Sequence, residues 1–536
     1  MTTKSTDDPL TLSIDIGTSS TRVLLWDTSG REVNNVHAQV QYQMRTTPDG
    51  GMEIEPEELL KYVGDCIDDG LTQAKSLLSS IRAVGISTFW HAVMGADESI
   101  KPVTPIYNWA DNRSADVARR LRKDLDAEGI HARTGCVLHP SYYPAKLVWL
   151  RESAPDIYKR VKRWISPSEY LFGRLFGSES VRVSTSMASA TGLFNQSEQR
   201  WDPETLKLVN LDAQTLSEIV DLSESSQGLM STFASRWPAL KHVPFFPAVG
   251  DGACGNIGSG CVSPNRMAIN LGTSGAIRVV WSETLEREEG RGKREEGQGN
   301  KSLRSSVPRS PTHPLSHSPS PRVSPSVLEG LWRYRVDSHR PIIGAAFSDG
   351  GHVYAWMSRT LQLPAVDELE KQICAMTPGE HGLTFLPFLA GERSMGWNPD
   401  ARASLVGMNL DSSPVEILRA AMEAVALQFA LAAGMLRTQF PHANHIIASG
   451  GALSHSPAWR KMFADAIGSP LTIAAEPEAS SRGAALLAME AAGTISSSAH
   501  ASTRHGETIE PDMKAHALYQ EILEKQQTVY EELRGT

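Results

Sequence analysis

Cysteine is scarce in this 536-residue chain: Cys66, Cys136, Cys254, Cys261 and Cys374 are odd in number and scattered. They lack the paired spacing of a metal site or a disulfide framework, so they read as free thiols of a reducing compartment. Basic charge is short as well. With 52 Lys and Arg against 61 Asp and Glu, the net charge of -9 leaves no electrostatic footprint for nucleic acid. No apolar run reaches about 18 residues, the length that spans a bilayer. The start MTTKSTDDPL lacks the basic-then-apolar order of a signal peptide. These absences predict a cytoplasmic protein with neither a nucleic-acid nor a membrane partner. What the chain does have is length, enough for two large domains rather than one core.

The stretch Leu12 to Trp26, LSIDIGTSSTRVLLW, alternates apolar residues up to Ile16, turns through Gly17-Thr18-Ser19-Ser20 and resumes as an apolar strand. It predicts a hairpin with a polar tip. Glycine lets the backbone approach closely, and tip hydroxyls with converging N–H groups suit a phosphate. A solvated turn would read the same way. The stretch recurs, however: NLGTSGAIRVVW, residues 270–281, matches residues 15–26 at an offset of 255, with Gly17/Gly272, Thr18/Thr273, Ser19/Ser274 and Trp26/Trp281 coinciding. Two copies imply two related halves, each presenting a phosphate loop to a shared cleft.

Between the copies, IRAVGIST forms a short buried strand whose C-terminal end carries Trp90 and His91, the end where α/β sheets bind ligands. In PIYNWADNRS, Asp111 either caps the following helix and pairs with Arg113, or binds substrate hydroxyls. The proline- and aromatic-rich TGCVLHPSYYPAKLVWLR fits a pocket wall. In PAVGDGACGNIGSGCV, Asp251 stands between two glycines at a helix start, which alone reads as an Asp-Gly turn or an N-cap; the second hairpin that follows within twenty residues places it where it could take a proton from an attacking hydroxyl. Further on, HIIASGG is a strand ending in two glycines. With the small-residue helix around Gly483, Ala484 and Ala485 it could leave a flat slot for adenine, close helix packing being the alternative. Ser413-Pro414-Val415-Glu416 is a helix start with a capping serine, and Leu418, Met422, Val425 and Phe429 give that helix a core face.

Residues 283–328 differ from everything around them: a Glu/Arg/Lys/Gly run gives way to a Ser/Pro tract with Ser-Pro pairs at 310, 318, 320 and 324. Such composition cannot bury enough apolar surface to offset ordering entropy, so a disordered insert is expected, leaving the core intact.

Taken together, DIGTSSTR, GDGACGNIGSG with INLGTSG, GERSMGWNPDAR, and IIASGGALSHSPAWRKMFADAIG with EASSRGAALLA resemble the FGGY family of carbohydrate kinases, in the actin-like ATPase superfamily. The similarity runs from about residue 11 to 534 outside the insert. Within the family, STFWHAVMGAD, NWADNRS, SEYLFGRLFG and GAAFSDGG look most like gluconokinases. The resemblance implies an α/β fold of two actin-like (ribonuclease H-like) domains with an interdomain cleft. Residues 1–10 would be a flexible start, 11–257 the sugar and phosphate-loop side, and 258–536 the nucleotide side containing the 283–328 insert. It also implies ATP and Mg²⁺, with Asp251 as general base and Trp90, His91, Asp111, Ser141 and Tyr142 at the substrate. Gly17, Thr18, Ser19, Ser20, Arg22, Gly272, Thr273, Ser274, Gly344, Gly450, Gly451, Ala452 and Ser454 would lie around the nucleotide, and Asp15 would hold Mg²⁺ through water. Asp15 also reads this way from its own chemistry, a carboxylate at a strand end beside phosphate-binding hydroxyls. The expected reaction is phosphorylation of a terminal hydroxyl of a sugar or sugar acid, D-gluconate foremost. A pentulose or polyol kinase and a non-catalytic nucleotide-binding regulator are the alternatives. Arg113 and Lys146 are candidates for reading a carboxylate, although both also fit structural pairing. Oligomeric state, a homodimer included, stays open.

Overall fold

The computed structural model describes residues 8–283 and 327–534. The predicted insert lies, apart from its ends, outside the described residues, as does most of the N-terminal segment expected to be flexible.

Two sheets share one topology. In the first, β1 (Leu10–Ile16), β2 (Ser20–Asp27) and β3 (Glu32–Gln41) run antiparallel, while β4 (Ile81–Thr88) and β5 (Val249–Gly250) add in parallel, giving the order β5-β4-β1-β2-β3. In the second, β6 (Arg266–Leu271) and β7 (Gly275–Val280) form the hairpin, followed by β8 (Trp332–Arg335), β9 (Pro341–Phe347), β10 (His445–Ser449), β11 (Leu471–Ala474) and β12 (His505–Ile509). Its order is β8-β9-β7-β6-β10-β11-β12, which repeats the first arrangement between β9 and β11 and adds one strand at each edge. The strands buried on both faces, such as β1 and β9, are the near-continuous apolar runs of the sequence. The insert falls between β7 and β8, both of which flank β9 or pair with it. At its edge the Glu283 carboxylate accepts from Arg335, 2.8 Å away.

The helices settle where each half buries its apolar surface. In the first half α1 (Pro56–Ala74) packs on the sheet, and the chain then tightens into a 3₁₀ turn at Lys75–Ser80. The helix α2 (Asp251–Gly258) starts at Asp251 itself. In the second half α3 (Pro414–Gln439) begins at Ser413 with a complete capping box, Ser413 Oγ accepting from the Glu416 N–H while the Glu416 carboxylate accepts from the Ser413 N–H. Such a cap is worth about 1 kcal/mol. By length and apolarity α3 could cross a membrane, but 78% of its most apolar window is buried inside the fold, where it forms the spine of the second core. The remaining helices used below are α4 (Gly451–His455), α5 (Pro457–Ile467), α6 (Ala479–Ala491) and α7 (Met513–Arg534).

Although α6 comes late in the chain, it lies against the first sheet and crosses α2. A Cβ on Gly258 would stand 1.8 Å from the Ala479 carbonyl oxygen, and one on Gly483 1.9 Å from that of Cys254. The two helices therefore touch backbone to backbone. A third apolar cluster, with Leu24, Trp90, Cys254, Val280, Trp332 and Ala485, bridges the halves at this level.

Candidate active site

The hairpin tips face one cleft from opposite sides, and α2 enters it from below with Asp251 on its first turn. Three cavities meet there. A small pocket of about 170 Å³ and a middle cavity of about 220 Å³ share Asp251, Asn270 and Arg278 as a common wall. A larger, more apolar cavity of about 990 Å³ opens on the far side of the second hairpin, whose tip divides it from the small pocket: Gly272 and Thr273 line the large cavity, Ser274 and Gly275 the small one.

Aromatic rings build the small pocket. The Trp332 and Tyr334 rings stack at 4.1 Å, and Trp90 meets Tyr334 edge-on at 5.1 Å. His91 sits in the left-handed region at φ 67°, a conformation that costs about 1–3 kcal/mol in a non-glycine residue. Its Nδ1 lies 2.7 Å from the Ala190 carbonyl. Since a carbonyl only accepts, Nδ1 carries the proton. Burial, with the charge of Arg393, holds the imidazole well below its usual 6.5, so the ring is neutral near pH 7 and keeps Nε2 as an acceptor. Thr18 and Trp109 complete this wall.

Asp251 is the one carboxylate lining the small pocket, and its Oδ1 accepts from the Gly252 N–H at 2.8 Å. Burial pushes its carboxyl up, against the pull of Arg278, the Gly252 N–H and Arg393. A desolvated carboxylate whose proton affinity is raised in this way is suited to accept a proton. Arg278 reaches the same wall from β7, where it pairs in register with Gly344. Its Nε has no hydrogen-bond partner among the described residues.

In the middle cavity Asp15, next to the end of β1, stands opposite Arg22, 3.8 Å away, and Arg22 stands 3.5 Å from Glu478. Burial pushes the Asp15 carboxyl up to about 6, with Ser87 and Arg22 opposing and Asp251 and Glu478 adding to the rise. Its buried Oδ1 has no hydrogen-bond partner among the described residues. Among those residues no three His, Cys, Asp or Glu side chains could hold a metal by themselves. One or two carboxylate oxygens beside a phosphate cavity suit Mg²⁺, which keeps waters and shares phosphate oxygens.

Around the large cavity the helix Gly351–Thr360 contributes His352, Ala355 and Trp356, and Gly451, Ala452 and Trp459 form the facing wall. Gly450, at φ 102°, must be glycine, because a Cβ would sit 2.4 Å from the Leu271 carbonyl oxygen. Both hairpin tips are fastened from outside. Tyr42 Oη donates to the Gly17 carbonyl at 2.6 Å, and His352 Nδ1 donates to that of Thr273 at 2.8 Å.

Several sequence-predicted residues stand elsewhere. Asp111 is buried away from the pocket, accepting from the Met52 N–H and pairing with Arg113 at 2.5 Å, and it does not cap the helix. Ser141 and Tyr142 lie behind the pocket wall: the Ser141 hydroxyl meets His139, and Tyr142 Oη meets Tyr334 Oη at 2.5 Å with its ring edge-on to His91. Gly344 is inside β9, where the missing Cβ makes room for the Ile277 carbonyl, Arg278 and Trp332, and it lines none of the three cavities itself. Ser454 turns its hydroxyl back to the Gly450 carbonyl. In the small-residue helix α6, Gly483 and Ala484 serve the close approach to α2 and β4, the close-packing alternative, while its first residues Ala479 and Ser480 line the middle cavity together with Gly450. Arg113 is spent on Asp111 and Glu53, and buried Lys146 donates to the Pro140 carbonyl. Ser19 and Ser20 flank the first tip, and Gly17 closes it by donating to the Ser20 carbonyl. Sequence reasoning did not assign Arg278, Arg393, Trp332 or Tyr334 to the pocket they line.

Comparison with known proteins follows this geometry. The model of the N-terminal domain of the FGGY family of carbohydrate kinases matches residues 10–258, and that of the C-terminal domain matches residues 326–492. A gluconokinase from Bacillus subtilis is 28% identical over 498 residues, covering 91% of this chain and 88% of that protein. A xylulose kinase from Staphylococcus xylosus is 23% identical, with 89% and 90% covered. Among solved structures, a gluconate kinase from Lactobacillus acidophilus superposes with a TM-score of 0.83 at 23% identity, covering 98% of each chain.

Proposed function

The chain belongs to the FGGY family of carbohydrate kinases, and from that membership we propose that it transfers the γ-phosphoryl group of ATP to the terminal hydroxyl of a sugar acid, D-gluconate, giving 6-phospho-D-gluconate. The observation that carries this reading is the position of Asp251 on the wall common to the small pocket and the middle cavity. An acceptor in the small pocket presents its hydroxyl there, and the phosphates occupy the middle cavity. Asp251 takes the hydroxyl proton as the oxygen–phosphorus bond forms and the bond to the ADP oxygen breaks. Phosphoryl transfer asks little covalent chemistry of a protein, so position and charge supply most of the rate. His91 Nε2 accepts from an acceptor hydroxyl, and the aromatic walls exclude water. Arg278, lining both cavities, places positive charge beside the exchanging bond. Asp15 would hold Mg²⁺, which neutralises phosphate charge when bound. The nucleoside takes the large cavity along Gly451 and Ala452, with the second hairpin tip at its phosphates. The cytoplasm, with its ATP, is the compartment in which this chemistry operates.

Gluconate is favoured over other acceptors by the Bacillus subtilis relative. The xylulose kinase relative keeps a pentulose as the second reading. A coupled ADP-release assay across gluconate, xylulose, ribulose, glycerol and no sugar separates them: the largest sugar-dependent signal is expected with gluconate. A stronger signal with a neutral sugar moves the assignment to that acceptor, and silence throughout favours a regulator without turnover. Asp251→Asn should lower kcat by about 10²–10⁴ with ATP binding intact, the usual span for a general base. Turnover at the wild-type rate would remove Asp251 from that role.

A further inference from the structure

The small pocket carries an unbalanced charge. Arg278 and Arg393 line it, and Asp251 is its single carboxylate, so with His91 neutral the formal sum is 2 − 1 = +1. The surplus falls on Arg393. Arg278 shares the wall of the middle cavity with Asp251, whereas Arg393 lines the small pocket alone. The Arg393 residue is 9% exposed, its Nε has no hydrogen-bond partner, and no ion pair reaches it among the described residues. A guanidinium cannot shed its proton, and burying one without a counter-ion costs several kcal/mol. A protein keeps such a group where a ligand supplies the missing anion.

The loop around Arg393 is built to hold it in place. The Trp397 N–H donates to the Arg393 carbonyl at 2.6 Å, and the neighbouring Ser394 exchanges two hydrogen bonds with Ala346 of β9, both at 3.0 Å. Its guanidinium lies over the Trp109 ring, 5.0 Å from the centroid, a cation–π contact that helps hold it at the pocket wall. The two residues that sequence reasoning put forward for this task are unsuited to it, Arg113 being fully paired and Lys146 turned to a backbone carbonyl outside the pocket.

We infer that Arg393 reads the carboxylate of the acceptor, which fixes the substrate class as an open-chain sugar acid lying with its acid end at Arg393 and its terminal hydroxyl at Asp251. This rests on the kinase reading above and deepens it from acceptor name to recognition chemistry. A planar fork on a carboxylate gives two parallel hydrogen bonds, which also sets the direction in which the chain enters.

The test compares D-gluconate with D-glucitol, the neutral polyol of equal length, in wild type, Arg393→Met and Arg393→Lys, by coupled ADP release and by the rise in Tm that each acceptor produces. Arg393→Met should lower kcat/KM for gluconate by about 10²–10³, chiefly through KM, with a much smaller loss for glucitol, so that the preference for the acid collapses. The gluconate-induced rise in Tm should vanish while the ligand-free Tm stays within a few degrees of wild type. Arg393→Lys keeps the charge without the fork and should lose about tenfold on gluconate. If the Met variant fails to fold, the Lys variant decides by the same ratio. Equal losses on both acceptors overturn the role of Arg393 and leave the kinase reading standing. A wild-type enzyme that phosphorylates a neutral sugar and no sugar acid overturns the acceptor reading itself.

Discussion

The two hairpins that face each other across the cleft share a fold and divide the chemistry. The first closes at Ile16↔Thr21, leaving residues 17–20 as its tip, and the second closes at Leu271↔Gly275, leaving 272–274. The sequence offset of 255 therefore holds along the first strand of each hairpin and slips by one residue in the second. Where the first sets Asp15 opposite Arg22, the second sets Asn270 opposite Ala276. The first tip is fastened by Tyr42 and the second by His352. The two hairpins share one backbone arrangement and differ in side chains: one copy carries a carboxylate, on which the proposed cation site rests, and the other a neutral amide whose Nδ2 donates to Ser449. Three carboxylates, Asp15, Asp251 and Glu478, already stand at this cavity wall, and a fourth in place of Asn270 would add like charge that repels an anion there.

Making the first hairpin like the second should have the largest effect. Asp15→Asn is expected to cut kcat by about 10²–10³, the scale of losing a principal electrostatic group at a phosphoryl-transfer site. A Mg²⁺ titration of the steady-state rate checks it, and full activity at saturating Mg²⁺ would erase the contrast between the copies.

The reverse exchange, Asn270→Asp, should cost about tenfold in kcat/KM for ATP by adding like charge beside the phosphates. Initial rates over a range of ATP at fixed gluconate measure it. A neutral or improved variant would mean that the amide is incidental.

The smallest effect concerns the fastenings. Burial pushes the Tyr42 phenol up beyond any working pH, so its bond to the first tip is indifferent to pH. His352 is raised above its usual 6.5, mainly by its hydrogen bond to Asp349, 2.7 Å away. A group raised on folding contributes fully below its unfolded value and loses that contribution as pH rises through the folded one. The charged His352–Asp349 pair should thus hold the second tip best at pH 6.5 and below, weakening upward. His352→Phe is expected to raise KM for ATP a few-fold near pH 6.5 and progressively less toward about pH 9, whereas Tyr42→Phe should shift it evenly. Parallel pH profiles for both variants would place the two fastenings on an equal footing.

Sequence made the hairpins, their repetition and the Asp251 helix start readable because each is local: turn glycines, hydroxyls and apolar alternation lie within a dozen residues. The wall around them is assembled from afar. Arg278 and Arg393 are separated by more than a hundred residues, and that a guanidinium lacks a counter-ion shows only once every neighbour is in place. Small residues are ambiguous in sequence for a related reason. Gly483 reads equally as room for a planar ligand or as close helix packing, and the structure uses its missing side chain for the second. For Asp111 the structure shows the pairing with Arg113 that the sequence offered as one of its two readings.

The crossing of α2 and α6 has a mechanical meaning. Because Gly258 and Gly483 press against carbonyls with no side chain between, the spacing of the halves there is set by atoms that cannot change rotamer. Such a contact acts as a fulcrum: it resists separation and permits a small swing of one helix on the other, the shear by which packed helices move. Asp251 rides at the opposite end of α2 from Gly258, about 10 Å along the axis at 1.5 Å per residue. A swing of a few degrees at the fulcrum would therefore move Asp251 by only a few tenths of an ångström, so that in the proposed reaction the cleft could open and close around a base that hardly leaves its station.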